Sequence, residues 1–227
     1  MKYPDIKTYE KLYKRFFLND RTEQMLSLAG DVSGKVFLDI CCGGGRLTEA
    51  ALNKNTKKNI MIDSEAKMIS QGFKNNDFTQ IFVMTVEDAF KELLKKQRPV
   101  VDVAMCQQGI NYWLTEDKAR KLSLIMSRNG IFIFNTFNQK PSEIPKVREY
   151  TLINPFELKE THYTEISWWN KNDFFDIYHV QICQGEEPHF TKFKWMSEKY
   201  IRECLDKFFK IEIITENKTD IYKCIKK

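Results

Sequence analysis

Hydrophobic and polar positions along the chain follow two patterns in succession. From Val36 to Phe134, short runs rich in β-branched and aromatic residues alternate with amphipathic stretches, the pattern of βαβ units and a largely parallel sheet. Residues 36–40 are apolar except for Asp39, which predicts a strand buried on both faces. A helix is expected over 46–52, a strand over 60–62 ending at Asp63, a helix through Met68, a strand over 81–84 and a helix over 87–96. The alternation continues with a strand over 100–106 and a helix from near Thr115, whose Glu116 and Asp117 suit the positive end of a helix. Asn129-Gly130 is a turn leading into a strand over 131–134. Ahead of the first strand, helices are predicted over 8–17 and 21–29, the second stopping before the Ser33-Gly34 turn. Beyond Asn135 the period shortens to two. Runs such as 161–166 and 175–180 alternate and are rich in aromatics, which predicts antiparallel strands. Ser197 is a candidate N-cap for a last helix through Phe208, and 211–214 with 221–224 predict a terminal hairpin.

A length of 227 residues with 42% apolar side chains suffices for one sizeable core. The reading is a single domain over 1–227, with a helical cap over 1–30 and an antiparallel insertion over 140–195. The formal net charge of +5 comes from a lysine excess spread along the chain, and the nearest cluster, Lys95, Lys96 and Arg98, falls at a helix end. That distribution disfavours a nucleic-acid partner, which calls for basic residues gathered on one face. Six cysteines, Cys41, Cys42, Cys106, Cys183, Cys204 and Cys224, show neither paired C-x-x-C spacing nor an accompanying His cluster. They read as reduced thiols, and no metal is expected. No apolar run reaches the length of a signal peptide or a bilayer span, so the expectation is a cytoplasmic protein without a membrane partner, monomeric or homodimeric.

Candidate chemistry concentrates where strands end. Leu38 to Gly45 is a strand running into a turn with three consecutive glycines that opens a helix. Such a turn lets a ligand approach the main chain, and the helix start offers free N–H groups; a tight turn without a ligand is the plainer reading. A dinucleotide fingerprint would need glycine where Thr48 stands. Asp63 ends the second strand about twenty residues beyond the turn, where nucleotide-binding α/β proteins place a carboxylate toward ribose hydroxyls. Polar residues leave the fourth strand at Gln107, Gln108 and Asn111, along the carboxyl edge where open α/β sheets bind ligands.

The segment from Asp39 to Gly45 resembles the first motif of class I S-adenosylmethionine-dependent methyltransferases, usually written acidic-x-Gly-x-Gly-x-Gly, with Cys41 in place of the first glycine. Ile62-Asp63-Ser64 followed by Met68-Ile69 looks like the second motif. The resemblance implies an α/β fold: a Rossmann-like, doubly wound, seven-stranded, mostly parallel sheet with a C-terminal antiparallel hairpin and an antiparallel β insertion. It implies S-adenosylmethionine as the methyl donor, leaving as S-adenosylhomocysteine. By the same resemblance, Asp39 fixes the amino group of the methionine part, and Cys41, Cys42, Gly43 and Gly45 pass beneath it. Asp63, with Ser64 and Met68, holds the ribose side. Val86 offers a backbone amide to the adenine; Glu87 or Asp88 receives its amine or else caps the following helix, because Thr85 stands where the family often has Asp. Gln107 touches the methionine part, and Asn111, Tyr112 and Trp113 line the acceptor pocket or belong to the core. Tyr9 and Tyr13 share one face of the first helix; Tyr13 either closes over the cofactor or packs on the domain.

Methyl transfer from a sulfonium needs alignment and exclusion of water, and no protein nucleophile. A nitrogen or oxygen acceptor can require a base, for which His162, His179, His189, Glu165 and Tyr13 are candidates, with His162 and Tyr13 preferred. All three histidines fall in the insertion, which by analogy forms the acceptor wall. Trp168 and Trp169 suit a flat or cationic acceptor or simple strand packing. The chain has neither the Asn/Asp-Pro-Pro-aromatic run of base-amine methylases nor a Pro-Cys nucleophile, which again disfavours nucleic acid. The arrangement is similar over nearly the whole chain to bacterial small-molecule methyltransferases, such as those acting on amino sugars or glycine. The alternatives are a non-catalytic module that binds the cofactor and works through a partner, and an NAD-dependent oxidoreductase, which Thr48 opposes.

Overall fold

The computed structural model describes residues 21–96, 100–137, 147–154, 159–171, 175–183, 189–216 and 219–227. In chain order the elements are α1 (Thr22–Ala29), β1 (Val36–Ile40), α2 (Arg46–Leu52), β2 (Lys58–Asp63), α3 (Ala66–Gly72), β3 (Thr79–Val83), α4 (Val86–Leu94) and β4 (Val101–Cys106). A 3-10 turn, Ile110–Tyr112, precedes α5 (Glu116–Ile125) and β5 (Met126–Phe137). Next come β6 (Val147–Asn154), β7 (Lys159–Lys171), β8 (Phe175–Cys183) and β9 (His189–Trp195). The chain then forms α6 (Glu198–Leu205), β10 (Phe209–Glu216) and β11 (Thr219–Lys226). The helix predicted over 8–17 lies outside the described residues.

These elements form two compact units. One carries a seven-stranded sheet of order β10-β11-β5-β4-β1-β2-β3, in which β1 to β5 run parallel and β11 pairs antiparallel with both β5 and β10. The other, inserted in the chain between β5 and α6, is a four-stranded antiparallel sheet of order β6-β7-β8-β9. The expected doubly wound sheet, C-terminal hairpin and antiparallel insertion are therefore all present.

Strand alternation divides the core of the first unit. Phe37, Val103, Met105, Ile133 and Ile221 pack with Met25, Leu26, Leu47 and Ala51 of α1 and α2. Opposite residues of the same strands, Phe132, Phe134 and Tyr222, form an aromatic layer with Trp113, Phe90 and Phe209, in which Phe134 and Tyr222 stack at 4.7 Å. Burial on both faces explains the nearly unbroken apolar runs of β1 and β4. A phenylalanine truncated to alanine in this layer would cost about 3–5 kcal/mol.

Two boundaries differ from the sequence reading by three residues or more. The strand expected over 131–134 begins at Met126, because residues before the Asn129-Gly130 turn already pair with β4, as in Val101 opposite Met126, and the register shifts before Val103 meets Ile131. Asn129 makes that turn at φ 62°. The last helix ends at Leu205, three residues short of Phe208, whose N–H bonds to the Leu205 carbonyl in a closing turn.

Candidate active site

The carboxyl ends of β1, β2 and β4 lie side by side at the centre of the sheet, with β1 between β2 and β4. Here the strand order reverses, the position where open α/β sheets leave a crevice for ligands. Beyond Ile40 the backbone turns through left-handed conformations at Cys41 (φ 58°), Gly43 (φ 52°) and Gly45 (φ 82°) before α2 begins. Gly45 is required twice over. Its φ is unfavourable for other residues, and a Cβ there would meet Phe73 at 2.7 Å and Met61 at 2.8 Å. Cys42 N–H bonds to the Ile62 carbonyl at 3.0 Å and Gly45 N–H to the Cys42 carbonyl at 2.8 Å, which binds the turn to β2.

Two carboxylates flank the turn. Asp63 accepts from the Gly43 N–H at 2.8 Å through one oxygen and from the Glu65 N–H at 2.9 Å through the other. Asp39 is 1% exposed, and one of its oxygens accepts from both the Thr48 N–H at 3.2 Å and the Thr48 hydroxyl at 2.9 Å. Burial pushes the Asp39 carboxyl up to about 7; the Thr48 hydrogen bonds oppose the rise and the nearby Asp63 charge adds to it. Among the described residues neither carboxylate is ion-paired with a lysine or arginine. The thiols contribute no charge: its hydrogen bond with Cys106, then burial, raises Cys41 well above the usual thiol range, and burial raises Cys42. A crevice holding two acidic groups and, among the described residues, no cation paired with either suits a positively charged group.

Two further loops border the crevice. At the end of β3, Met84 N–H bonds to the Asp63 carbonyl at 3.0 Å, and α4 opens with a reciprocal cap: the Asp88 N–H donates to the Thr85 hydroxyl at 3.2 Å, and that hydroxyl donates to the Asp88 carboxylate at 2.8 Å. Glu87 turns to Lys121 of α5 and Lys91, and its hydrogen bond with Lys121 holds its carboxyl below the usual range. Val86, 9% exposed, occupies the first turn, where helix amides lack intrahelical acceptors. After β4, Thr22 of α1 donates its hydroxyl to the Gln107 side-chain carbonyl at 3.1 Å, while the buried Gln107 Nε2 has no acceptor among the described residues. Gln108 takes φ 60°, with its N–H on Asn135 Oδ1 at 2.8 Å. Gly109 then sits so close to the first turn that a Cβ would lie 2.4 Å from Cys41 Cβ.

Among solved structures, the chain is similar to a methyltransferase dependent on S-adenosylmethionine from Clostridium acetobutylicum, at TM-score 0.68 and 17% identity over 97% of this chain and 98% of that one. It is also similar to an amino pentose methyltransferase from Micromonospora echinaspora with S-adenosylmethionine bound, at TM-score 0.71 and 8% identity over 100% and 98% of the two chains. The chain has the methyltransferase fold. A sugar N-methyltransferase from Streptoalloteichus has the same fold at TM-score 0.66 and 11% identity over 96% of this chain and 92% of that one. No family model and no curated protein sequence matches the chain.

Within the methyltransferase fold, Asp39, Cys41, Cys42, Gly43, Gly45, Asp63, Ser64 and Gln107 all belong to the carboxyl ends of β1, β2 and β4 or to the loops that follow them, and Met68 belongs to α3, the helix after β2. Met68 lies over the turn, its Cε 3.7 Å from where a Gly43 Cβ would stand. Asn111 is buried and Tyr112 is half exposed, whereas Trp113 is a core residue that meets Phe90 edge-on and donates its indole N–H to Cys106 Sγ at 3.4 Å. His162 and Trp168 lie on β7 opposite Thr151 and Tyr178, with side chains outside the described structure. Tyr9 and Tyr13 lie outside the described residues. Sequence reasoning missed the parts played by Thr48, Thr22 and Asn135. For Asn135 a signal existed: Asn135-Thr136 is a polar pair leaving a buried strand at the same edge as Gln107. Arg21 was also passed over; it is 9% exposed at the start of α1, next to the Thr22 that reaches Gln107.

Proposed function

We propose that the chain is a methyltransferase that binds S-adenosylmethionine and transfers its methyl group to a nitrogen or oxygen of a small-molecule acceptor, with amino sugars the favoured class. The observation that supports this most strongly is the pairing of Asp39 and Asp63 around a left-handed turn, with no protein cation set against either among the described residues. The residues fit the donor. Asp39 faces its ammonium group, Gln107 Nε2 is a donor suited to its carboxylate, and Asp63 has lone pairs remaining for ribose hydroxyls. Val86 and Ser64 serve the adenosine end. When bound, the sulfonium supplies an activated methyl group; the chain's own tasks are to orient, desolvate and, where the acceptor carries a proton, remove it.

In this reading Asn111 and Tyr112, in the loop after β4, contribute acceptor contacts, and the β7 residues His162 and Trp168 are the sequence's candidates for proton removal and for stacking on the acceptor. The amino-sugar class is suggested by the solved sugar and amino pentose methyltransferases that share the fold. Calorimetry with S-adenosylmethionine, S-adenosylhomocysteine and NAD tests the ligand. Binding of the first two and not the third is expected, and Asp63→Ala should weaken it about tenfold or more while the protein stays folded. Incubation with methyl-labelled donor and a panel of amino sugars and hydroxylated small molecules tests the reaction. Donor binding without transfer to any of them would assign the chain to the non-catalytic class, and absence of donor binding would overturn both.

A further inference from the structure

The loop after β4 has no glycine where it needs one. Gln108 lies at φ 60°, a conformation that disfavours side chains with a Cβ by roughly 1–2 kcal/mol, so something outside the loop must hold it there. Asn135 does so. It lies on β5, 3% exposed, and its Oδ1 accepts the Gln108 N–H at 2.8 Å, giving that amide a side-chain acceptor just beyond the last paired residues, Cys106 and Phe134. The consequence reaches the glycine-rich turn. Gly109 follows directly, placed so that even a methyl group would press on Cys41 Cβ at 2.4 Å and Cys41 Sγ at 2.9 Å, and its carbonyl accepts from the Cys41 thiol at 3.8 Å. Two left-handed non-glycine residues, Cys41 and Gln108, are thus braced through Gly109, and Asn135 anchors one of them.

We infer that Asn135 is a positioning residue for the methyl donor: by fixing the Gln107–Gln108 peptide, it aims Gln107 and braces the Cys41 turn. This rests on the donor reading above. If Gln108 relaxed to negative φ, the peptide would rotate, and both the Gln107 groups and the Gly109–Cys41 contact would shift. Loss of the Asn135 acceptor therefore weakens the ligand without removing any group that touches it.

The test measures S-adenosylhomocysteine affinity by calorimetry and thermal midpoint in parallel. In Asn135→Leu, of similar size but with no acceptor, the Kd should rise about tenfold at temperatures where the protein is fully folded. Adding Gln108→Gly should restore affinity to within about threefold of the parent, because glycine takes the left-handed conformation without support. If Asn135→Leu does not fold, Asn135→Ala, which removes the acceptor without adding bulk, replaces it with the same expectation. Unchanged affinity in the folded variant, or a loss that Gln108→Gly leaves uncorrected, overturns the inference. Failure of the parent protein to bind S-adenosylhomocysteine overturns the donor reading instead.

Discussion

Asp39→Asn should stabilise the ligand-free protein at alkaline pH and weaken ligand binding. The native carboxyl ionises near 7, against 3.8 for an unhindered aspartate, a difference of about 3 pH units. At roughly 1.4 kcal/mol per unit, ionised Asp39 costs the fold about 4 kcal/mol. The sign follows from proton binding. Between pH 4 and 7 the native state holds a proton that the unfolded chain has lost, so the contribution of Asp39 to stability falls as pH rises through this window and is flat above it. Asparagine keeps an acceptor oxygen for Thr48 and cannot ionise. Urea or thermal unfolding of both proteins should therefore show no difference near pH 4 and one that grows to about 4 kcal/mol near pH 8, a midpoint shift of about 10 °C for a chain of this length. Comparing the two proteins at each pH cancels every other titrating group. A variant equally or less stable at pH 8, or a gap that does not change with pH, would refute the burial argument.

The same carboxylate ties affinity to pH. On the donor reading the ligand's ammonium group favours ionised Asp39, so S-adenosylhomocysteine affinity should rise by up to about tenfold per unit as pH climbs toward 7 and level off above it. In Asp39→Asn that dependence should vanish. On the donor reading, the unfavourable buried charge of Asp39 is the one that the ligand's ammonium group would compensate.

Other substitutions follow from the turn geometry and the helix cap. Gly109→Ala should cost about 1–3 kcal/mol because its methyl collides with Cys41, and Cys41→Gly in the same chain should recover about 1–2 kcal/mol of that loss; additive unfolding energies in the double-mutant cycle would refute the contact. Gly45→Ala should destabilise by about 2 kcal/mol or more, read by denaturant unfolding, since both its φ of 82° and the Phe73 and Met61 contacts exclude a Cβ. Thr85→Ala removes the α4 cap and should cost about 1 kcal/mol with an unchanged denaturant slope; no loss would show that Asp88 caps the helix unaided.

How far the site was legible in sequence depends on the distance over which each feature is determined. The strands β1 and β4 could be read because burial on both faces leaves an apolar run that a few residues of context bound, and Asp63 could be placed because a strand end and a spacing suffice. The partners of Asp39, Gln107 and Gln108 could not, because Thr48, Thr22 and Asn135 lie 9, 85 and 27 residues away and are brought near only by the sheet. Cys41 shows what a motif written in glycines encodes. Cys41, Gly43 and Gly45 share positive φ, so the requirement falls on the backbone, and a cysteine can meet it once its neighbours allow. What allows it is Gly109, on a different strand exit, whose missing Cβ leaves the space that the Cys41 side chain fills. The glycine that the first motif lacks is matched by one the fourth strand's loop cannot lose, and that compensation could be recognised only once β1 and β4 were seen to be neighbours.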